Sequence, residues 1–340
     1  MRIGIDGRKI GDYGIGTYIR GLLRGLDEID APEEYVVFAP RDAAVPPRFE
    51  HVVFDAPHYS ARELFSLGRA IRDAKLDLFH APHYVVPVTE TPAVVTIHDL
   101  IHLHARHRNP LKPLYARTML RRAVRRSVCV LTVSEYVRRD IISTFACSSE
   151  HVVVTPNGVD PQFTSAGSGQ RAAGSRYFLY AGNDKPHKNV EALVAAFSDV
   201  HAKRPDLRLV LAGAAFARFA KRDGVECAGF VDDLAQLYRD ALAVIVPSRE
   251  EGFGLPALEA MACGTPVITS FAPALVEVTG DAALHTDDFA EAMLRIASGE
   301  SLRRELAQRG VARAAQFTWS ACAMKTRAAY LRSARASRAI

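Results

Sequence analysis

Along the chain, short apolar runs rich in β-branched residues alternate with longer helical patterns. The runs Arg2 to Asp6, Tyr35 to Ala39, Leu78 to His80, Ala93 to Ile97 and Val128 to Val133 read as strands. The alternation stops at Ser165 to Ser175, a small and polar stretch that cannot pack and reads as an interdomain linker. It resumes with strands at Tyr177 to Ala181, Arg208 to Ala212, Ala243 to Pro247 and Pro266 to Ser270, separated by helical segments such as Val190 to Lys203. This grammar predicts an α/β chain of two Rossmann-like, doubly wound domains, over residues 1–165 and 175–319. Such sheets carry their binding loops at the carboxyl ends of the strands, so a ligand held in a cleft between two facing sheets would touch both. Trp319 to Arg338 is helical in composition with no strand after it. The pattern gives this helix no docking partner, and residues 320–340 are assigned to the first domain.

Length agrees with that division, because 340 residues exceed what one hydrophobic core usually serves. The opening Met-Arg-Ile-Gly-Ile-Asp reaches charge at once and is followed by glycines, unlike a secretory signal. The longest apolar stretches, such as Val128 to Val133 and Ala241 to Val246, fall far short of the roughly 20 residues a bilayer core requires. A cytoplasmic, soluble protein is expected. The five cysteines are odd in number, scattered and without a C-x-x-C pair, which suits reduced core thiols rather than disulfides or a zinc site. The net charge of +5 is mild but unevenly placed: from Leu100 to Ser134 there are eight Arg or Lys and no acid. That asymmetry suggests an anionic partner on one face.

The most legible stretch is Ser248 to Gly264. Gly252 and Gly254 permit a tight loop, Pro256 suits the first turn of a helix, and Gly264 suits its left-handed exit. The free amides of a helix opening behind a strand, with the positive end of its dipole, suit a diphosphate. Glu251 stands in the loop and Glu259 about one turn into the helix, and such carboxylates accept strong hydrogen bonds from sugar hydroxyls. Taken together, this segment closely resembles the E-x7-E region of retaining glycosyltransferases of family 4, which have the GT-B fold. The resemblance implies that Glu251 contacts the donor sugar, Glu259 the nucleoside ribose, and the amides of Gly252, Phe253, Gly254 and Leu255 the diphosphate. It runs from residue 1 to about residue 330 through further motifs.

Ala181 to Asn189 follows a strand and precedes a helix, where a flexible ammonium reaches phosphate oxygens as a point charge. Lys188 matches the family's phosphate-binding lysine. An arginine usually follows the glycine, whereas this chain has Asn183, so charge neutralisation is expected to rest more on Lys188; Lys185 is either a helper or a solvated loop lysine. Gly14 and Gly16 lack the third glycine of a dinucleotide fingerprint, Ile19 standing there, which disfavours a nicotinamide site. They do resemble the family's N-terminal glycine loop, whose backbone approaches the diphosphate. His98, closing the strand that ends Thr96-Ile97, matches the histidine that contacts the transferred sugar. His102, His104 and His107 lack the carboxylate or cysteine partners of a metal site, and the family needs no metal or other cofactor. Phe230 and Val231 lie in the region that holds the base, largely through backbone groups. Asn157-Gly158-Val159-Asp160 resembles the turn that ends the family's N-terminal domain.

The resemblance implies transfer with retention, from a nucleotide-sugar donor to a saccharide or lipid-linked acceptor. The Gly-Asn-x-x-Pro-His-Lys-Asn form is similar to mannosyl- and rhamnosyltransferases of bacterial surface polysaccharides, which favours a GDP-hexose. The basic segment 112–126, with Arg117, Arg121, Arg122, Arg125 and Arg126, reads either as an anionic membrane contact or as a solvated helix face. Nucleic acid is disfavoured, because aromatics are not interleaved with the basic residues. The rival readings are a sugar-nucleotide epimerase of the same architecture and a non-catalytic nucleotide-sugar-binding module. The Glu251-to-Glu259 segment disfavours the first; the set Glu251, Lys188 and His98 disfavours the second.

Overall fold

The computed structural model of the protein describes residues 1–54, 61–104, 111–165 and 176–338, so all of the linker stretch except Ser165 lies outside them, as does His107. Two compact units emerge: Met1–Gly158 with Thr318–Ile340, and Val159–Phe317. The seven residues from Val159 to Ser165, grouped with the first domain on sequence, belong to the second unit. There Val159 N–H donates to Phe317 O at 3.1 Å, and the Phe163 ring packs edge-on against Tyr238.

In the first unit the chain runs β1 (Arg2–Asp6), α1 (Ile15–Glu28), β2 (Glu34–Ala39), β3 (Glu50–Val53), α2 (Ala61–Asp73), β4 (Leu78–Ala81) and β5 (Ala93–Ile97). It continues with α3 (Ile101–His104), α4 (Leu111–Arg126), β6 (Ser127–Thr132), α5 (Glu135–Phe145) and β7 (Val152–Val154). All strand pairings are parallel, in the order β3-β2-β1-β4-β5-β6-β7. Helices cover both faces, so strands such as Ala93–Ile97 are buried throughout and apolar at every position but Thr96. One face packs Ile3, Ile5 and Val94 against α1; the other packs Phe38, Phe79 and Val95 against α2, α4 and α5.

The second unit runs β8 (Tyr177–Asn183), α6 (Val190–Lys203), β9 (Arg208–Ala214), β10 (Val225–Gly229), α7 (Leu234–Asp240) and β11 (Ala243–Val246). It continues with α8 (Leu255–Ala262), β12 (Val267–Thr269), α9 (Pro273–Thr279), β13 (Leu284–His285), α10 (Phe289–Ser298) and α11 (Glu300–Ala314). Its parallel sheet has the order β10-β9-β8-β11-β12-β13. In each sheet the strand order reverses once, between β1 and β4 and between β8 and β11. Ligands of doubly wound sheets bind outside the carboxyl ends of the strands at that reversal.

The terminal helix α12 (Trp319–Arg338) docks within the first unit, on α1. Sequence pattern alone gave it no partner because its contact is made by what α1 lacks: Gly21 and Gly25 leave room for Trp319. A Cβ at Gly21 would lie 2.0 Å from the Trp319 ring, and one at Gly25 2.2 Å from its carbonyl oxygen. Arg327 then donates twice to Glu33, at 2.8 and 2.9 Å, and the Tyr330 hydroxyl meets His80 Nδ1 at 2.7 Å. Gly21→Val is expected to force these helices apart and to lower the unfolding free energy of this unit by about 1–3 kcal/mol. Denaturant titration followed by Trp319 fluorescence checks this. The single tryptophan makes the probe local.

Candidate functional site

At the β8/β11 reversal of the second unit, two loops are stitched together by hydrogen bonds to backbone carbonyls. Asn189, in the left-handed region at φ 59°, donates its side-chain amide to Pro247 O at 3.2 Å, and Arg249 N–H donates to His187 O at 2.8 Å. The stitch brings two residues far apart in sequence into contact. Lys188 Nζ donates to Glu251 Oε1 at 2.7 Å, with Glu251 only 8% exposed and the lysine side chain 18% exposed. A shielded ammonium beside a shielded carboxylate can serve an oxyanion and a hydroxyl cluster side by side.

Behind Glu251 the loop turns into α8. Gly254 takes φ 104°, and a Cβ there would meet Leu275 Cδ2 at 2.5 Å. No side chain caps α8, and Pro256 in its first turn has no N–H to satisfy, so the local dipole faces the loop unblocked. Phe253 is buried with its ring edge-on to Phe317 at 5.8 Å, so it anchors the loop and presents only backbone to a ligand. Leu255 is half-buried at the start of the helix.

Glu259 lies on α8 and accepts a 3.0 Å hydrogen bond from the Tyr238 hydroxyl. Burial raises its pKa to about 7, the Tyr238 bond opposing and the nearby Asp160 charge adding to the rise. Tyr238, fully buried on α7, went unnoticed in the sequence, since nothing in spacing pairs it with a glutamate on the next helix. Phe230 is 66% exposed just after Gly229, and Val231 beside it is half-buried. Asn183 ends β8, its carbonyl oxygen accepting from the Tyr180 hydroxyl at 2.7 Å and its Oδ1 from Lys185 N–H at 3.3 Å. Lys185 is exposed, and the neighbouring Asp184 is taken up by Arg218 at 2.6 and 2.9 Å.

In the first unit, Gly14 takes φ 60° at the entry to α1, and a Cβ at Gly16 would lie 2.5 Å from Ile10 O, so the loop lies close against its own backbone. His98 is half-buried, its Nε2 2.9 Å from Pro82 O and its ring edge-on to Tyr18 at 4.8 Å. Only the Nε2–H tautomer satisfies that carbonyl, which leaves Nδ1 as an acceptor. Burial lowers the His98 pKa despite the Pro82 bond and the Asp99 charge, so the ring is neutral near pH 7.

A further cluster at the β1/β4 reversal was not found in the sequence. Asp6, wholly buried, accepts from Arg8 Nε at 2.8 Å and Nη2 at 2.6 Å, and His83 Nε2 stands 3.3 Å away. Burial would raise the Asp6 carboxyl, but the Arg8 hydrogen bonds, with His83 beside them, outweigh it and hold the group well below the usual carboxylate range. The only hint was that β1 ends on an acid two residues before an arginine. Among the described residues no group of three or more His, Cys, Asp or Glu is gathered as metal ligands. His104 instead stands 3.6 Å from Asp140.

The family described as "Glycosyltransferase Family 4" matches residues 13–163, and "Glycosyl transferases group 1" matches residues 175–299. The O-antigen chain mannosyltransferase B of Escherichia coli is 31% identical over 292 residues, covering 77% of this chain and 76% of that protein. Sucrose-phosphate synthase from Thermosynechococcus elongatus superposes with a TM-score of 0.79 at 20% identity, covering 98% of both chains. Anabaena HepE, solved in complex with UDP and glucose, gives a TM-score of 0.73 at 19% identity over 97% of this chain and 99% of that one. Two parallel sheets with flanking helices, each reversing order once, match these GT-B structures in fold. The chain belongs to the family 4 glycosyltransferases and is a glycosyltransferase of the GT-B fold.

Proposed function

We propose that the protein transfers a hexose, mannose or a related deoxyhexose, from a GDP-sugar to a saccharide or lipid-linked saccharide in bacterial surface polysaccharide synthesis, with retention at the anomeric carbon. The observation that carries the donor assignment is the Lys188–Glu251 pair, 2.7 Å apart at the strand-order reversal and beside the uncapped start of α8. In this reading Lys188 and the amides from Gly252 to Leu255 stabilise charge on the leaving diphosphate. Glu251 accepts from the sugar hydroxyls, Glu259 from the ribose, and the exposed Phe230 with the Val231 backbone flanks the base. Asn183 lines the phosphate side without adding charge. In the first unit, Gly14 and Gly16 bring backbone to the diphosphate, and His98 accepts a sugar hydroxyl at Nδ1. No metal or other cofactor is invoked. The leaving phosphate takes the acceptor's proton, in a front-face attack that needs no carboxylate nucleophile.

The mannosyl preference is supported by the Escherichia coli relative, an O-antigen chain mannosyltransferase. HepE binds UDP and glucose, so a uridine donor is the competing outcome. A thermal-shift panel of GDP, UDP, ADP and their common sugars separates them: stabilisation by GDP and GDP-mannose is expected, and a response confined to UDP or ADP compounds overturns the donor choice.

Glu259 gives this reading a pH signature. Ribose hydroxyls donate to the ionised carboxylate, so donor binding favours deprotonation and lowers the pKa from about 7. Affinity must therefore rise with pH: about tenfold from pH 6 to pH 8, with the loss setting in as pH falls through 7. Titration calorimetry with GDP-mannose at several pH values tests this, and Glu259→Gln is expected to flatten the dependence.

The helix α4 is proposed as a contact for an anionic membrane surface at the inner face of the plasma membrane. Arg117, Arg121, Arg125 and Arg126 are exposed beside Leu114 and Tyr115, which are 61% and 51% exposed. Arg122 departs from the sequence reading: it turns inward and donates to Val86 O at 2.5 Å. No helix among the described residues is long and apolar enough to cross a membrane.

A further inference from the structure

The second unit contains a groove of 680 Å³ that none of the donor residues named above lines. It shares their loops, since its walls include Asn189, which follows Lys188, and Arg249, two residues before Glu251. One side is the small-residue face of α6, where Ala192 and Ala196 leave space. The lining also includes Phe271, which is 57% exposed. The walls are fixed by hydrogen bonds. Asn189 holds Pro247 O, Ser270 Oγ donates to Ser248 O and accepts from Ala272 N–H, and Asp288 caps α10 by accepting from Glu291 N–H.

Three charged side chains in the lining have no such task. Arg249, Asp199 and Asp287 are exposed into or beside the groove and make no side-chain hydrogen bond or ion pair among the described residues. Their mixture narrows the ligand. An anion would meet two carboxylates; a metal ion lacks a gathered set of three ligands. A wholly apolar molecule would desolvate charges without pairing them. What remains is a neutral molecule with many hydroxyls, which both donate to carboxylates and accept from a guanidinium, and with an apolar C–H face to lie on an exposed ring.

We propose that this groove is a saccharide subsite, holding part of an oligosaccharide chain against Phe271 with Arg249, Asp199 and Asp287 on its hydroxyls. The proposal deepens the reading of the enzyme as one that extends saccharides, and it rests on that reading. A chain held here stays associated with the donor-binding unit through successive transfers, which gives longer acceptors tighter binding than short ones.

Titration calorimetry of linear mannopentaose, maltopentaose and cellopentaose into the full-length protein, Phe271→Ala and Asp199→Asn tests it, with GDP-mannose and UDP-glucose titrated into the same proteins. At least one pentasaccharide is expected to bind the wild type, about tenfold more weakly after Phe271→Ala through loss of the ring face. Asp199→Asn is expected to weaken it about threefold, and nucleotide-sugar binding to be equal in all three. Binding of no pentasaccharide, or equal binding by wild type and both variants, overturns the groove while nucleotide-sugar binding stays intact. Absence of nucleotide-sugar binding to the wild type instead overturns the donor reading.

Discussion

Lys188→Met is expected to lower transfer by about 10²–10³-fold, because it removes a cation positioned where charge develops on the leaving group. The same change strips Glu251 of its partner, and that carboxylate is only 8% exposed. Breaking a buried pair by removing one member costs about 3–5 kcal/mol, more than the pair itself contributes, since an uncompensated charge is left behind. The single variant is therefore expected to be both inactive and less stable. The double variant Lys188→Met with Glu251→Gln removes both charges and is expected to recover most of the stability and none of the activity. Urea titration and a transfer assay on the two single variants and the double variant check this. Equal stability across all four proteins would mean that the 2.7 Å contact is not formed in solution.

Gly254→Val is expected to be nearly as damaging by a different route. At φ 104° a β-branched residue is strained by about 1–3 kcal/mol. Its Cβ would also stand 2.5 Å from Leu275 Cδ2, so α9 or the loop must shift. A displacement of about 1 Å in a positioning loop costs about 10²-fold in rate. Gly229→Ala is the control within the same unit: its φ of 67° is left-handed too, but nothing lies within 4 Å of a Cβ there. It is expected to cost only about 1–2 kcal/mol. Comparable losses at Gly229 and Gly254 would show that backbone strain alone, without the Leu275 contact, sets the loop.

The fold was legible where strands are buried on both faces. Ala243–Val246 is a continuous apolar run, and Ala93–Ile97 one broken only by Thr96, because helices cover each side of a parallel sheet. The strands that escaped notice, Glu50–Val53, Val152–Val154 and the two-residue Leu284–His285, are short and lie at sheet edges, half in water, where no periodicity accumulates. At the candidate site, Glu251 and Lys188 stood out through the punctuation around them: Gly252, Gly254 and Pro256 on one side, a strand end on the other. Their mutual contact did not, since 63 residues separate them, and their loops meet through the parallel pairing of β8 with β11 and the hydrogen bonds between the loops. The same holds for His83 beside Asp6 and for Tyr238 beside Glu259. A polar residue in an apolar run carries no sign of the partner that the topology supplies.

Transfer followed by proton NMR tests the central claim most directly. The wild type is incubated with GDP-mannose, whose anomeric linkage is α, and a short mannoside acceptor. The account predicts release of GDP together with an α-linked mannosyl product, and neither from Lys188→Met. A β-linked product, or transfer from UDP-glucose with none from GDP-mannose, would contradict it.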